Sequence, residues 1–154
     1  MTLRLEIPSR GGLELEHLVL DLNGTLTDRG LLVSGVEPRL RDLAGTFALH
    51  LLSADTFGTL DETGAAVGIE ARTVASGEQK LAVVRELGPD RCIVVGNGAN
   101  DALALEAAAL GIAVAGAEGA SGAAIRAADI VCRSIVEALE LLLDPCAITA
   151  TLRR

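Results

Sequence analysis

Four short segments of this 154-residue chain carry side chains that could act together on a phosphoryl group. Asp21-Leu22-Asn23-Gly24-Thr25 follows the apolar run Leu18-Val19-Leu20, and Ser53-Ala54-Asp55 follows the run from Phe47 to Leu52. Lys80 lies in the first turns of a helical stretch, and Gly96-Asn97-Gly98-Ala99-Asn100-Asp101 follows Cys92 to Val95. A carboxylate, a hydroxyl, an ammonium group and a polar glycine-rich loop are the parts needed for phosphoryl transfer through an aspartyl-phosphate. Asp21 would be the nucleophile. The Ser53 hydroxyl and the Lys80 ammonium would hold non-bridging phosphoryl oxygens. Mg²⁺, a hard cation that takes oxygen ligands, would screen the repulsion between the carboxylate and an incoming phosphate. Gly24 and Gly98 would let the backbone turn close to the ligand. Taken singly, each feature has a bland explanation: a turn aspartate, a strand-end hydroxyl, a solvated lysine, a loop with a helix cap. Their order along the chain is what points to chemistry.

The elements that must position these residues are short apolar runs alternating with longer helical stretches. Leu3 to Ile7 and Leu13 to His17 read as a hairpin joined through Pro8 to Gly12, the second strand running on into Leu18 to Leu20 and ending at Asp21. Leu26 to Val33, centred on Asp28-Arg29-Gly30, reads as a small hairpin. Val36 to Ala44 reads as a helix with Pro38 in its first turn, where its missing N–H costs nothing. Strands follow over Phe47 to Leu52, Ile69 to Val74, Cys92 to Val95, Ile112 to Ala115 and Ile130 to Cys132. Helices are expected over Phe57 to Ala66, capped by Thr56, then Gly77 to Leu87, Asp101 to Ala109, Ala120 to Ala127, and Ile135 to Leu143, the last ended by Pro145. Strands alternating with helices of this length predict βαβ units and a mainly parallel sheet. Runs such as Ile93-Val94-Val95 lack polar alternation, which suits central strands buried on both faces. Ligands of such sheets bind outside the carboxyl ends of the strands, where the four polar segments fall. The predicted fold is a Rossmann-like three-layer α/β domain over residues 1–154, its parallel sheet flanked by helices, with a short N-terminal β-hairpin.

Composition narrows the function. The formal charge of −8 and only two aromatic residues, Phe47 and Phe57, leave no footprint for nucleic acid. No apolar run reaches the roughly 18–20 residues of a membrane helix. The N-terminus, Met1 to Ile7, alternates like a strand and has no signal-peptide apolar region, so the expected compartment is the cytoplasm. Cys92 and Cys132 flank apolar runs and read as buried small hydrophobes. His17 and His50 sit at strand positions without metal-ligand spacing and read as structural. Neither a GxGxxG dinucleotide fingerprint with its acidic partner nor a GxxxxGK[ST] loop is present.

The ordered motifs resemble those of the haloacid-dehalogenase-like hydrolase superfamily, and more closely the small soluble proteins related to the phosphorylation domain of P-type ATPases. The resemblance covers about Leu18 to Leu143. Asp21 to Thr27 matches the first motif, Ser53 the second, Lys80 the third and Gly96 to Asp101 the fourth. It implies a Mg²⁺-dependent phosphoric monoester hydrolase acting on a small phosphorylated molecule. Asp21 would be nucleophile and first metal ligand, the Asn23 main-chain carbonyl the second. Ser53 and Lys80 would bind the phosphoryl group together with the Asn23-Gly24 backbone. Position 97 would supply a metal ligand, and Asp101 would support the metal and its water.

Two residues depart from the usual pattern. The phosphatases carry an Asp two residues after the nucleophile, as general acid and base; here that position is Asn23, an amide that cannot serve as general acid or base at neutral pH. The fourth motif usually opens Gly-Asp-Gly; here Asn97 keeps an oxygen ligand without its charge. The alternative function is therefore a metal- or phosphate-binding regulatory protein that keeps the fold with little turnover. The gaps from Thr27 to Phe47 and from Ser53 to Lys80 hold no cap domain, so the site is expected to be open unless a neighbouring subunit of a homo-oligomer covers it. Leu31-Leu32-Val33 in the small hairpin is the candidate flap for such a partner. Asp55 is expected either to face the site or to serve as a cap or turn residue.

Overall fold

The computed structural model describes residues 1–154. In chain order, β1 (Leu3–Ile7) and β2 (Gly11–Leu15) form an antiparallel hairpin, and β3 (His17–Asp21) follows one residue later. The hairpin β4 (Thr27–Asp28) and β5 (Leu31–Leu32) leads into α1 (Val36–Leu43) and β6 (Ala48–Ser53). Next come α2 (Leu60–Val67), β7 (Glu70–Thr73), α3 (Gly77–Leu87), β8 (Cys92–Gly96), α4 (Ala102–Ala107) and β9 (Leu110–Val114). The chain closes through α5 (Gly122–Ala127), β10 (Ile130–Cys132), α6 (Ile135–Leu143) and α7 (Pro145–Leu152).

Six strands form one parallel sheet in the order β10-β9-β8-β3-β6-β7. From β3 the chain moves outward to β6 and β7, then returns to lay β8 on the other side of β3. The strand order therefore reverses between β3 and β8, the crevice where open α/β sheets bind ligands. The two loops that leave these strands carry Asp21 to Thr25 and Asn97 to Asp101.

Alternate strand residues feed two cores. Leu18 and Leu20 of β3, Leu51, Ile93, Val95, Leu110 and Ile112 pack with α1, α6, α7 and the inner face of the β1–β2 hairpin. Val19, Leu52 and Val94 face the other way, onto Val83 and Val84 of α3 and Ala104 and Leu105 of α4. Burial on both faces explains why the central strands read as continuous apolar runs. Serines start three of the helices: Ser76, Ser121 and Ser134 each accept a hydrogen bond from the backbone N–H three residues on.

Several boundaries differ from the sequence reading. The first hairpin turns more tightly than expected, over Pro8-Ser9-Arg10 with Ser9 at φ 68°, so β2 begins at Gly11 and His17 opens β3 instead of closing the hairpin. The helix after Ser53 begins at Leu60, and Thr56 does not cap it. Asp55 at φ 59° and Gly58 at φ 69° hold a turn there, and the Asp55 carboxylate accepts from Leu60 N at 2.9 Å. Asp101 closes a 3₁₀ turn over Ala99–Asp101 before α4, and the next strand starts at Leu110. Pro145 opens α7, because a first-turn proline forfeits no helix bond and Asp144 accepts from Ala147 N. Cys92 is buried, but Cys132 is only half-buried on the edge strand β10. No cap domain follows either candidate insertion point. No helix is long and apolar enough to cross a membrane.

Candidate active site

Asp21 is the last residue of β3, next to the sheet's reversal point, with a side chain only 8% exposed. Lys80 projects from α3 into the sheet's carboxyl edge and is 2% exposed. Its ammonium lies 2.7 Å from Asp21 Oδ1 and 2.6 Å from Asp101 Oδ1. Asp101 is as deeply buried, and its Oδ2 accepts from the backbone N–H groups of Asn97 at 3.1 Å and Gly98 at 2.9 Å. One buried ammonium thus joins two buried carboxylates, leaving one net negative charge when both are ionised.

Electrostatics follow from that arrangement. Burial, then the Asp101 charge, push the Asp21 carboxyl up to about 7 from 3.8, against the opposing pull of Lys80 and Thr25. Burial alone would lower Lys80, but the Asp21 and Asp101 carboxylates outweigh it and hold the ammonium above its ordinary value. Lys80 therefore remains a fixed positive charge, while Asp21 is ready to share its own charge with an added cation.

Across the opening, Ser53 ends β6 and is buried, with Asn23 Nδ2 3.4 Å from its Oγ. A cavity of about 190 Å³ is lined by Asp21, Asn23, Ser53, Ala54, Thr56, Asn97, Gly98 and Asn100. Four of the seven sequence-predicted site residues, Asp21, Asn23, Ser53 and Asn97, line this space. Gly24 and Lys80 do not: Gly24 lies behind Asn97, and Lys80 acts from beneath through Asp21. Asp101 likewise sits beneath the loop it holds. Gly24 has φ 76°, and a Cβ there would overlap the Asn97 amide. Gly98 has a negative φ of −94°, so its lack of a side chain serves close packing against Asn100 and not a left-handed turn.

Thr25 is a site residue that the sequence reading quoted within its motif but gave no role. Its Oγ1 lies 3.2 Å from both Asp21 Oδ2 and Asn97 Oδ1, and ties the two loops together. The available signal was its position, four residues after Asp21 at the same strand end. Asp55 does not line the cavity; it caps α2, the second of its two expected roles.

The donor set fits a hard divalent cation. Three oxygens, Asp21 Oδ2, Asn97 Oδ1 and Thr25 Oγ1, converge with a single hydroxyl proton among them. Asn23 Oδ1 is buried with no hydrogen-bond partner. Oxygens gathered in this way suit such a cation, which prefers oxygen ligands.

No protein-family model matches the chain. It is 44% identical over 78 residues to the uncharacterized protein MJ0073 of Methanocaldococcus jannaschii, a match covering 48% of this chain and 84% of that protein. The chain belongs to the family of MJ0073. This MJ0073-family chain is also 46% identical over 70 residues to the probable cation-transporting P-type ATPase J of Mycobacterium tuberculosis, although that match spans only 11% of the transporter. Among solved structures, a putative haloacid-dehalogenase (HAD) family hydrolase from Streptomyces avermitilis superposes with a TM-score of 0.70 and 22% identity, covering 86% of this chain and 87% of the other. The 3-deoxy-D-manno-octulosonate 8-phosphate phosphatase of Moraxella catarrhalis, in complex with magnesium, phosphate and sugar, superposes at 0.66 with 17% identity, covering 90% and 94%. The MJ0073-family chain thus has the haloacid-dehalogenase-like fold, which supports the resemblance read from its motifs.

Proposed function

We propose that the protein is a Mg²⁺-dependent phosphatase that works through an aspartyl-phosphate at Asp21 on a small phosphorylated substrate. The observation that carries this reading is the placement of Asp21. A carboxylate at the carboxyl end of a central strand borders an open polar cavity, backed by a buried lysine and faced by a buried serine. The fold shared with known phosphatases adds to it.

In the first step an Asp21 carboxylate oxygen attacks phosphorus, and the bond to the leaving oxygen breaks, the electron pair departing with it. In the second, water attacks phosphorus and the bond to Asp21 breaks, releasing inorganic phosphate and restoring the carboxylate. Lys80 holds Asp21 in place and offsets negative charge beneath the phosphoryl group. Ser53 donates to a non-bridging oxygen from the opposite wall. Asp21, the Asn23 carbonyl and Asn97 would hold the cation. Asp101 orients the Asn97 loop through its bonds to the Asn97 and Gly98 amides. A bound Mg²⁺ would supply positive charge that offsets the negative charge of Asp21 and of the phosphoryl group.

Asn23 sets the expected substrate preference. The amide can neither protonate a leaving oxygen nor deprotonate water, so alkyl esters lose a contribution of about 10²–10⁴-fold. Acyl and aryl phosphates, whose leaving groups need no proton, lose less in the first step. Asn23 also favours the second reading, a phosphate-binding regulator that turns over little. Incubation with Mg²⁺ and acetyl phosphate, p-nitrophenyl phosphate or sugar phosphates separates the two. Release of phosphate from the first two substrates, abolished in Asp21→Asn, is the expected result. No release from any substrate at millimolar concentration would contradict the phosphatase reading. Asn97→Asp is expected to tighten Mg²⁺ binding about tenfold by restoring a charged ligand; calorimetry showing unchanged affinity would argue against Asn97 at the cation.

A further inference from the structure

A serine hydroxyl has one proton to donate and two lone pairs to accept with. Both lone pairs of Ser53 are taken. The backbone N–H of Asp55 donates to its Oγ at 2.9 Å, and Asn23 Nδ2 donates at 3.4 Å. Ser53 Oγ donates to no atom of the protein, so its proton is left for an acceptor inside the cavity that it lines. A non-bridging phosphoryl oxygen is such an acceptor.

The N–H that performs this orientation belongs to a residue in an unusual conformation. Asp55 has φ 59°, uncommon for a residue other than glycine. It is fastened there twice more. Its carbonyl accepts from Gly58 N at 3.0 Å, and its carboxylate accepts from Leu60 N at 2.9 Å, at the start of α2. The side chain points away from the cavity, while the backbone of the same residue fixes a hydroxyl that faces into it.

We propose that Asp55 is a positioning residue: by capping α2 with its side chain it holds its own backbone N–H on Ser53, which locks the Ser53 hydroxyl as a donor to the phosphoryl group. The proposal deepens the phosphatase reading and rests on it. Asp55 acts on the affinity for phosphate and touches no reacting atom. Asn tolerates the left-handed conformation and keeps an oxygen for Leu60 N, so it preserves the device. Gly adopts the backbone conformation freely but loses the cap. Ala loses both.

The test is calorimetric titration of inorganic phosphate into the full chain with Mg²⁺, for Asp55→Asn, Asp55→Gly and Asp55→Ala, each alone and combined with Ser53→Ala. A hydrogen bond to a charged group is worth a factor of about 10 or more in affinity. Asp55→Ala should weaken phosphate binding about tenfold, Asp55→Gly less, and Asp55→Asn should stay within about twofold of the parent. In the Ser53→Ala background the three should be alike, because the hydroxyl they orient is gone. Should Ser53→Ala weaken phosphate binding while the Asp55 variants do not, or should Asp55→Ala cause the same loss with and without Ser53, the positioning role is overturned and the phosphatase reading stands. Unchanged phosphate binding in Ser53→Ala would overturn the phosphate site itself, and this role with it. Asp55→Gly and Asp55→Asn keep the comparison available if Asp55→Ala does not fold.

Discussion

Strand β3 carries ionisable side chains at both ends, and the ends differ in what they leave unpaired. At the amino end, His17 Nδ1 lies 3.2 Å from His50 Nε2, the rings tilted at 50°. One imidazole donates and the other accepts, and neither ring leaves a buried nitrogen without a partner. At the carboxyl end, Lys80 bridges Asp21 and Asp101, which carry one charge more than it offsets when both are ionised, the Asn23 side-chain oxygen Oδ1 has no partner, and Ser53 has a proton without an acceptor. Both ends are polar groups set into an apolar sheet. Only the end with unmet demand, beside the strand-order reversal, has the makings of a binding site.

The largest difference between the ends should appear on removing one partner. Lys80→Met leaves two buried carboxylates without their cation and should cost about 3–5 kcal/mol in urea unfolding. A second change, Asp21→Asn, should return part of that loss by removing one of the uncompensated charges. A cost below about 1 kcal/mol for Lys80→Met would mean that the buried triad does not hold this end together. At the other end His17→Gln, which keeps a hydrogen-bonding group, should cost far less.

The ends should also respond to pH with opposite signs, measured in chelator so that no cation intervenes. Asp21 titrates near 7 when folded and near 3.8 when unfolded. Its contribution to stability is therefore full below 3.8 and is lost as pH rises through about 7. Asp21→Asn should be correspondingly less penalised than the parent above pH 7, and a pH profile that this change leaves untouched would refute the shift. The two histidines are lowered, His17 by burial and then Arg91, His50 by burial and then His17. Their contribution is present above 6.5 and is lost as pH falls, because the unfolded chain takes up protons first. His17→Gln should flatten that part of the curve, the smallest of these effects because both rings are partly exposed. A parent and variant with identical profiles below pH 6.5 would show that the pair does not titrate with folding.

The contrast also separates what sequence reveals from what it hides. The sheet was legible because strands buried on both faces, such as Ile93-Val94-Val95, are written as continuous apolar runs. The site was legible because parallel strands release their polar loops at one edge. The His17–His50 pairing was not, since it joins two strands 33 residues apart whose register is set by packing. Lys80 was legible as a residue of the same sheet edge, yet its direct bonds to Asp21 and Asp101 depend on how α3 packs across the sheet. The helix after Ser53 was placed too early because a left-handed Asp55 leaves no trace in residue type. Pro145 reads equally well as the end of one helix or the start of the next, and only the cap from Asp144 decides between them.

The central claim is that the unmet demand at the carboxyl end of β3 makes Asp21 a nucleophile. Intact-mass measurement after rapid acid quenching, with Mg²⁺ and acetyl phosphate present, tests it most directly. The account predicts one covalent phosphoryl group on the parent protein, mapped to Asp21, lost with hydroxylamine and absent from Asp21→Asn. Phosphate release with no adduct on the parent, or an adduct that persists in Asp21→Asn, would contradict it.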